Sequence, residues 1–220
     1  TRYPESETHS EAGHEGVEVD DIRALDADSY NTTTNGQTSR PVIADPVDTE
    51  LNRAVLEWKQ PAFDVALGRQ RLLLDNQRFI GNVGWRQNEQ TYDGATLRWH
   101  ATKAMDVSLA WISNVNRVFG PRSGTQPANW HGDSAILHAR AKLGRLGDLS
   151  AFSYALDFDN AAGNSTTTSG LLWTGAVALG PHWKMPWSAS FAAQQDRASN
   201  PVDYSAHYWQ LELGLARGPT

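Results

Sequence analysis

The chain has 220 residues, a formal net charge of −6, no cysteine and a mean hydropathy of −0.52. No run approaches the roughly 18 apolar residues of a membrane-crossing helix, which excludes a helical membrane protein. The acidic balance argues against nucleic acid as a partner, and the lack of cysteine excludes a disulfide-stapled secreted domain.

Taken in chain order, the dominant signal is alternation with period two. It predicts strands at 16–26, 50–58, 62–71, 91–101, 104–114, 132–143, 148–158, 169–180, 186–196 and 205–216. In the fourth, Ala95, Leu97, Trp99 and Ala101 oppose Thr96, Arg98 and His100. In the sixth, Leu137, Ala139, Ala141 and Leu143 oppose His138, Arg140 and Lys142. The seventh sets Phe152, Tyr154, Leu156 and Phe158 against Ser153 and Asp157. The last three repeat the pattern with Leu171, Trp173, Val177 and Leu179, then Trp187 and Phe191, then Trp209, Leu211 and Leu213. Connections alternate in length: 59–61, 102–103, 144–147 and 181–185 are short, while 27–49, 72–90, 115–131, 159–168 and 197–204 are long.

Two architectures give period two. A soluble β-sandwich buries its apolar face, and one that binds carbohydrate would use the nine Trp. A transmembrane barrel turns its apolar face to lipid and its charged face to a wet lumen. Three features favour the barrel. The strands are about ten residues long, against the usual five or six. Trp58, Trp187 and Trp209 fall near strand ends, where interfacial indoles sit. The long–short order of connections suits long outer loops and short periplasmic turns, not a Greek key. An open sheet edge is not viable in lipid, so the barrel must close. The expected fold is therefore an all-β transmembrane antiparallel β-barrel, with about ten strands visible in a single domain over 1–220.

One stretch adds a resemblance. Gly68-Arg69-Gln70-Arg71, then Asp75 through Gly81 (DNQRFIG), Gly84-Trp85-Arg86-Gln87 and Thr91-Tyr92-Asp93 resemble the alginate-export family of bacterial outer-membrane porins. Pro41 through Pro46 (PVIADP) and Glu50-Leu51-Asn52 also look like that family. The resemblance implies a larger barrel, with a strand before Thr1 and more after Thr220. The end, Ala216–Thr220, lacks a terminal aromatic, so the chain is expected to be an internal fragment. It further implies a channel in the outer membrane of a Gram-negative bacterium, passing small solutes or an anionic polysaccharide by passive diffusion. The expected surroundings are outer-membrane lipid and lipopolysaccharide, with no enzyme activity and no cofactor. Oligomeric state stays open.

The solute path is expected to include Arg78, Arg86, Arg98, His100, His138, Arg140 and Lys142, because basic groups in a confined passage attract carboxylates. The competing reading makes Arg69, Arg71, Arg78 and Arg86 loop-fixing residues bonded to backbone carbonyls and to Asp75, Glu89 or Asp93, and has Asp106, Asp157 and Glu212 balance the strand charges. Parity alone sets Arg69 and Arg71 on the lipid face with Val65 and Leu67, so a bulge or a position beyond the hydrocarbon is needed. The apolar loop 72–90, with Leu72, Leu73, Leu74, Phe79, Ile80, Val83 and Trp85, is expected to pack inward. His9, His14 and Glu15 match no strong metal spacing. Asp45, Asp48, Asp75 and Asn76 are at most weak calcium candidates. His131, Asp133 and Ser134 carry hydrolase residue types without a nucleophile elbow.

Overall fold

The structure, a computed structural model, describes residues 13–26, 28–122 and 124–218. It holds β1 (His14–Asp21), β2 (Thr49–Lys59), β3 (Phe63–Gln70), β4 (Thr91–Thr102), β5 (Met105–Asn116), β6 (Asn129–Lys142), β7 (Asp148–Leu156), β8 (Thr166–Ala178), β9 (Trp183–Asp196), β10 (Ser205–Leu213) and β11 (Ala216–Arg217). Strands β1 to β10 follow one another in hydrogen-bonded order, and β11 pairs with β9. The order is open, with β1 at one end and β10 at the other. All ten expected strands are present. The eleventh arises because the last one breaks: Gly214 N–H donates to the Pro186 carbonyl, and the chain rejoins β9 at Ala216. Connections again alternate, with 22–48, 71–90, 117–128, 157–165 and 197–204 long and 60–62, 103–104, 143–147 and 179–182 short.

Two compact units are described in turn. The first contains residues up to Leu97, then Ala110–Asp133 and Phe158–Ala161. Here β1 pairs β2 with Val17 opposite Ala54 and Val19 opposite Leu51. Asn52 is the extra residue between them, a β-bulge that shifts parity by one. Val17, Val19, Leu51 and Leu56 are exposed on the outer face, while Asn52 and Val55 are buried on the inner one. At Gly68 φ is +114°, and a Cβ there would meet the Ala54 carbonyl oxygen at 2.3 Å, so only glycine fits.

The second unit contains Arg98–Leu109, Ser134–Asp157 and the chain from Ala162. Its register gives rows that cross five strands. Ala139, Ala151, Leu171, Phe191 and Trp209 form one outer row, and Leu137, Ser153, Ser169, Ala193 and His207 the next. Phe191 is 51% exposed and Trp209 79%. An inner row runs His138, Phe152, Gly170, Ala192 and Tyr208.

That register corrects the expectation for β7. Phe152 and Tyr154 are 7% and 2% exposed and lie on the inner face, stacked with ring centroids 4.8 Å apart. The physical reason is that facing residues of adjacent strands share a side, and Phe152 faces His138 and Gly170. Gly170 makes room: a Cβ there would lie 2.7 Å from the Phe152 ring. Ser153 takes the outer position and closes its hydroxyl on Ser169 at 2.9 Å. Phe158 lies past the end of β7 and packs on Trp130 at 5.3 Å. Near the short turn 143–147, Trp173 donates to the Leu146 carbonyl at 2.7 Å and meets Trp187 edge-to-face at 4.9 Å. An exposed indole that keeps a polar contact at the strand end fits a membrane interface.

The faces can be tested by substitution. Phe191→Arg is expected to lower folding free energy in vesicles by about 2–4 kcal/mol if it sits near the bilayer midplane, whereas Ser190→Arg costs little. Ser153→Leu should be neutral, while Phe152→Ala costs about 3–5 kcal/mol. Urea titrations of the four variants check this, and the reverse order for residues 152 and 153 would restore the simple alternation.

Candidate functional site

Segment 71–90 follows β3 and carries the longest motif. It closes on itself through Gln90 N–H to the Asn82 carbonyl at 2.7 Å and Tyr92 OH to the Gly81 carbonyl at 2.7 Å. Leu72 and Ile80 are buried, which bears out part of the inward packing. Leu73 and Trp85 do not follow it, at 51% and 82% exposed. The backbone explains this: Asp75, Gln77 and Val83 have φ of 49°, 57° and 55°, so the chain reverses too tightly for successive apolar side chains to share one side.

What fixes the segment is polar. Arg71 donates from Nε to Glu89 Oε1 at 2.6 Å and from Nη2 to Glu18 Oε1 at 2.7 Å. Asn52 Nδ2 donates to Glu89 at 2.6 Å and Asn82 Nδ2 to the other Glu89 oxygen at 2.5 Å. Glu89 and Asn52 are buried. Burial opposes ionisation of Glu89, but the hydrogen bonds and charge of Arg71 and the amides of Asn52 and Asn82 outweigh it and hold its pKa below the usual value of 4.5. Burial works against the Arg71 guanidinium too, and Glu89 and Glu18 overcome it and raise its pKa. Because Glu18 and Asn52 face away from exposed Val17, Val19 and Leu51, the segment lies on the inner side of β1 and β2. Thus Arg71 leaves the lipid parity once past β3. Arg69 stays opposite Ala54 and is held by Asp93 at 2.7 Å and the Leu51 carbonyl at 2.9 Å.

Neighbouring loops are tied in. Arg86 donates to Asp45 at 2.8 Å and to the Ala44 carbonyl at 2.5 Å. Arg122 bridges to Asp48 at 2.8 Å, and Thr125 N–H reaches the Thr33 carbonyl at 3.0 Å. Arg78 is exposed and lines a cavity of about 590 Å³ with Asn76, Gln77, Asn82, Gly84 and Trp85. Of the two loop arginines expected on the solute path, Arg78 borders open space and Arg86 is engaged by a neighbouring loop.

The strand residues lie in the second unit. Arg98 and Lys142 are exposed, and their side chains form no ion pair among the described residues. His100 Nδ1 sits 2.7 Å from Asp106 Oδ1, and Arg140 Nη2 lies 2.5 Å from Asp148 Oδ2. Asp106 is the balancing charge expected, while Asp148 takes the place foreseen for Asp157 and Glu212. His138 is buried in the row with Phe152.

Other candidates resolve into structural contacts. His131 lies 3.7 Å from Asp159, Asp133 accepts from Trp111 Nε1 at 3.1 Å, and the buried Ser134 hydroxyl takes the Asp157 N–H at 3.0 Å. Asp45 and Asp48 are held by arginines, and Asn76 accepts from Arg78 N–H at 3.2 Å. His9 lies outside the described residues. Carboxylate oxygens of Glu18, Asp20 and Glu89 come within 4.8 Å of one another, and Arg71 supplies the positive charge there. Sequence reasoning missed Glu18 and Asn52 as anchors. The only signals were a Glu flanked by Val17 and Val19 and the Asn of the ELN triplet.

Removing Arg71 leaves the buried Glu89 carboxylate without its cation, facing Glu18. Arg71→Met is expected to cost about 3–5 kcal/mol of folding stability. Arg71→Lys recovers little, since an ammonium does not span two carboxylates as the guanidinium fork does. Urea unfolding of both variants checks this, and near-wild-type stability of the Lys variant would deny the fork its role.

The alginate export family model matches residues 11–120, half of the chain. No curated protein matches in sequence. Among solved structures the chain is similar to OccAB3 of Acinetobacter baumannii, with 14% identity and a TM-score of 0.71 over 97% of this chain and 54% of that one. It is similar to OccAB4 of the same organism, with 10% identity and a TM-score of 0.67 over 98% and 56%. A BenF-like porin from Pseudomonas fluorescens gives 11% identity and a TM-score of 0.62 over 96% and 54%. The chain therefore spans about half the length of these porins. Its fold is that of an outer-membrane barrel, and the chain belongs to the alginate export family.

Proposed function

We propose that the chain forms one continuous part of a water-filled outer-membrane channel that passes small polar solutes or an anionic polysaccharide by passive diffusion. The observation that carries this reading is the division of faces. Registered rows place Leu171, Phe191, Trp209 and Leu213 on one side and Arg140, Ser190, Gln210 and Glu212 on the other. Such a sheet fits lipid outside and water inside. Family and fold agree with it, and no chemical step is needed. A soluble carbohydrate-binding sandwich is not favoured, because its exposed apolar row would meet water.

Within that channel, loop 71–90 narrows the passage from the inner side of β1 and β2. Arg78, Arg98 and Lys142 are the cations best placed to meet a solute, since they are exposed. Arg86, His100 and Arg140 are each paired with a carboxylate, and His138 is buried. The lipid and lipopolysaccharide of the outer membrane surround the outer rows. The long connections 22–48 and 71–90 face outward from the cell.

Two measurements test the reading. Arg78→Gln combined with Arg98→Gln should shift reversal potentials in a salt gradient toward cations, because positive charge leaves a confined passage. An unchanged potential would remove these residues from the path. An epitope placed after Gly36, where a Cβ meets nothing within 4 Å, should be readable on intact cells. Detection only after permeabilisation would invert the sidedness.

A further inference from the structure

We propose that Glu89 is an acid-releasable latch, holding loop 71–90 against the inner face of β1 and β2 so that the passage is narrow at neutral pH and widens as the medium turns acid. The inference rests on the channel reading above and adds a mode of regulation to it.

The first argument is connectivity. Glu89 accepts hydrogen bonds from Arg71 and Asn82 within the loop and from Asn52 on β2. Arg71 carries the connection on to Glu18 of β1. One carboxylate therefore joins both ends of the loop to two strands. Apolar anchoring is partial, since Leu72 and Ile80 are buried while Leu73 and Trp85 are exposed.

A second argument is strain. Asp75, Gln77 and Val83 hold positive φ without being glycine, and Val83 is β-branched. Such backbone persists only while its surroundings impose it. A loop in this state relaxes once its polar fastening is lost.

The third argument is the charge left behind. Glu89 is faced by Glu18 and Asp20 of β1, by Glu50 of β2 and by Arg71 past the end of β3, while Arg53 of β2 lies 3.9 Å from Glu18. Arg69 of β3 is committed to Asp93. At neutral pH Glu89 and Glu18 bind Arg71. In acid Glu89 and Glu18 become neutral and no longer hold Arg71, so the loop loses its tie to β1 and β2. The sign follows from the lowered pKa of Glu89. The fastening is complete above about 4.5, the ordinary value, and is lost as pH falls through the lower folded value.

The absence of cysteine makes the test direct. Gln87→Cys, in the exposed part of the loop, takes a nitroxide label in the intact protein in lipid vesicles, and its mobility is followed from pH 7 to pH 3 beside single-channel conductance. The label should be immobile at pH 7, mobile at pH 3 and reversible between them, with conductance rising in step. With Glu89→Gln added, it should be mobile already at pH 7 and flat below. Asn82→Ala keeps the carboxylate but removes one donor, so its release should move to higher pH. A label unchanged across the range, or a Glu89→Gln variant that titrates like wild type, overturns the latch. Mobility that changes while conductance stays constant keeps the latch and sinks the narrowing of the passage by this loop.

Discussion

Two residues that face each other across an antiparallel ladder must lie on the same side of the sheet, and every backbone group inside lipid must be paired. Together these constraints leave a strand no freedom to choose its face. In the second unit the choice runs through five strands at once. With Leu171, Phe191 and Trp209 fixed outward, Ala139 and Ala151 go outward with them. The neighbouring row from His138 to Tyr208 must then point inward, whatever its residues prefer. Phe152 is an apolar residue on a face that also carries Arg140 and Glu212, and the wall accepts it by placing Gly170 beneath its ring. The lipid side receives Ser153 and Ser169, which satisfy each other.

The first unit breaks the same constraint at two places, and its polar network is built there. The bulge at Asn52 turns that amide inward beside Arg53, and the positive φ at Gly68 comes just before Arg69 and Gln70. Regular pairing would have put Asn52 on the lipid face, where its amide would lack partners. Shifted by one residue, it reaches Glu18 and Glu89 instead. Bulges commonly re-aim a side chain at a functional rim, and this one supplies the strand side of the loop anchorage.

The strands were legible because period two survives averaging over long segments, and the motif around Gly68–Asp93 marked the loop that matters. The face of β7 was not legible. Its outer residues, Leu149, Ala151 and Ser153, are smaller than its inner Phe152 and Tyr154, so a single-strand reading assigns the larger set to lipid. Only the register with β6 and β8 reverses this. The loop arginines were legible as alternatives. Arg69 and Arg71 found the carboxylates the sequence offered, Asp93 and Glu89. Arg86 found Asp45, from a loop 41 residues earlier, which no local pattern reveals. Glu18 was hidden for the same reason, 53 residues from Arg71.

A loop on the polar inner side of β1 and β2 is not fastened by apolar burial alone, since Leu72 and Ile80 are buried but Leu73 and Trp85 are exposed. Charge solves the problem in a particular way. A carboxylate buried as Glu89 is has to keep its partners, since an uncompensated ion in that position costs several kcal/mol. The geometry is therefore narrow, with donors from three residues aimed at two oxygens. Buried pairs are also poorly screened, whereas exposed charges more than about 10 Å apart fade at 0.1 M salt. The exposed cations Arg98 and Lys142 feel the ionic strength of the medium, and the Glu89 cluster mostly does not. Salt consequently acts on the exposed charges, and protons on the carboxylate that fastens the loop.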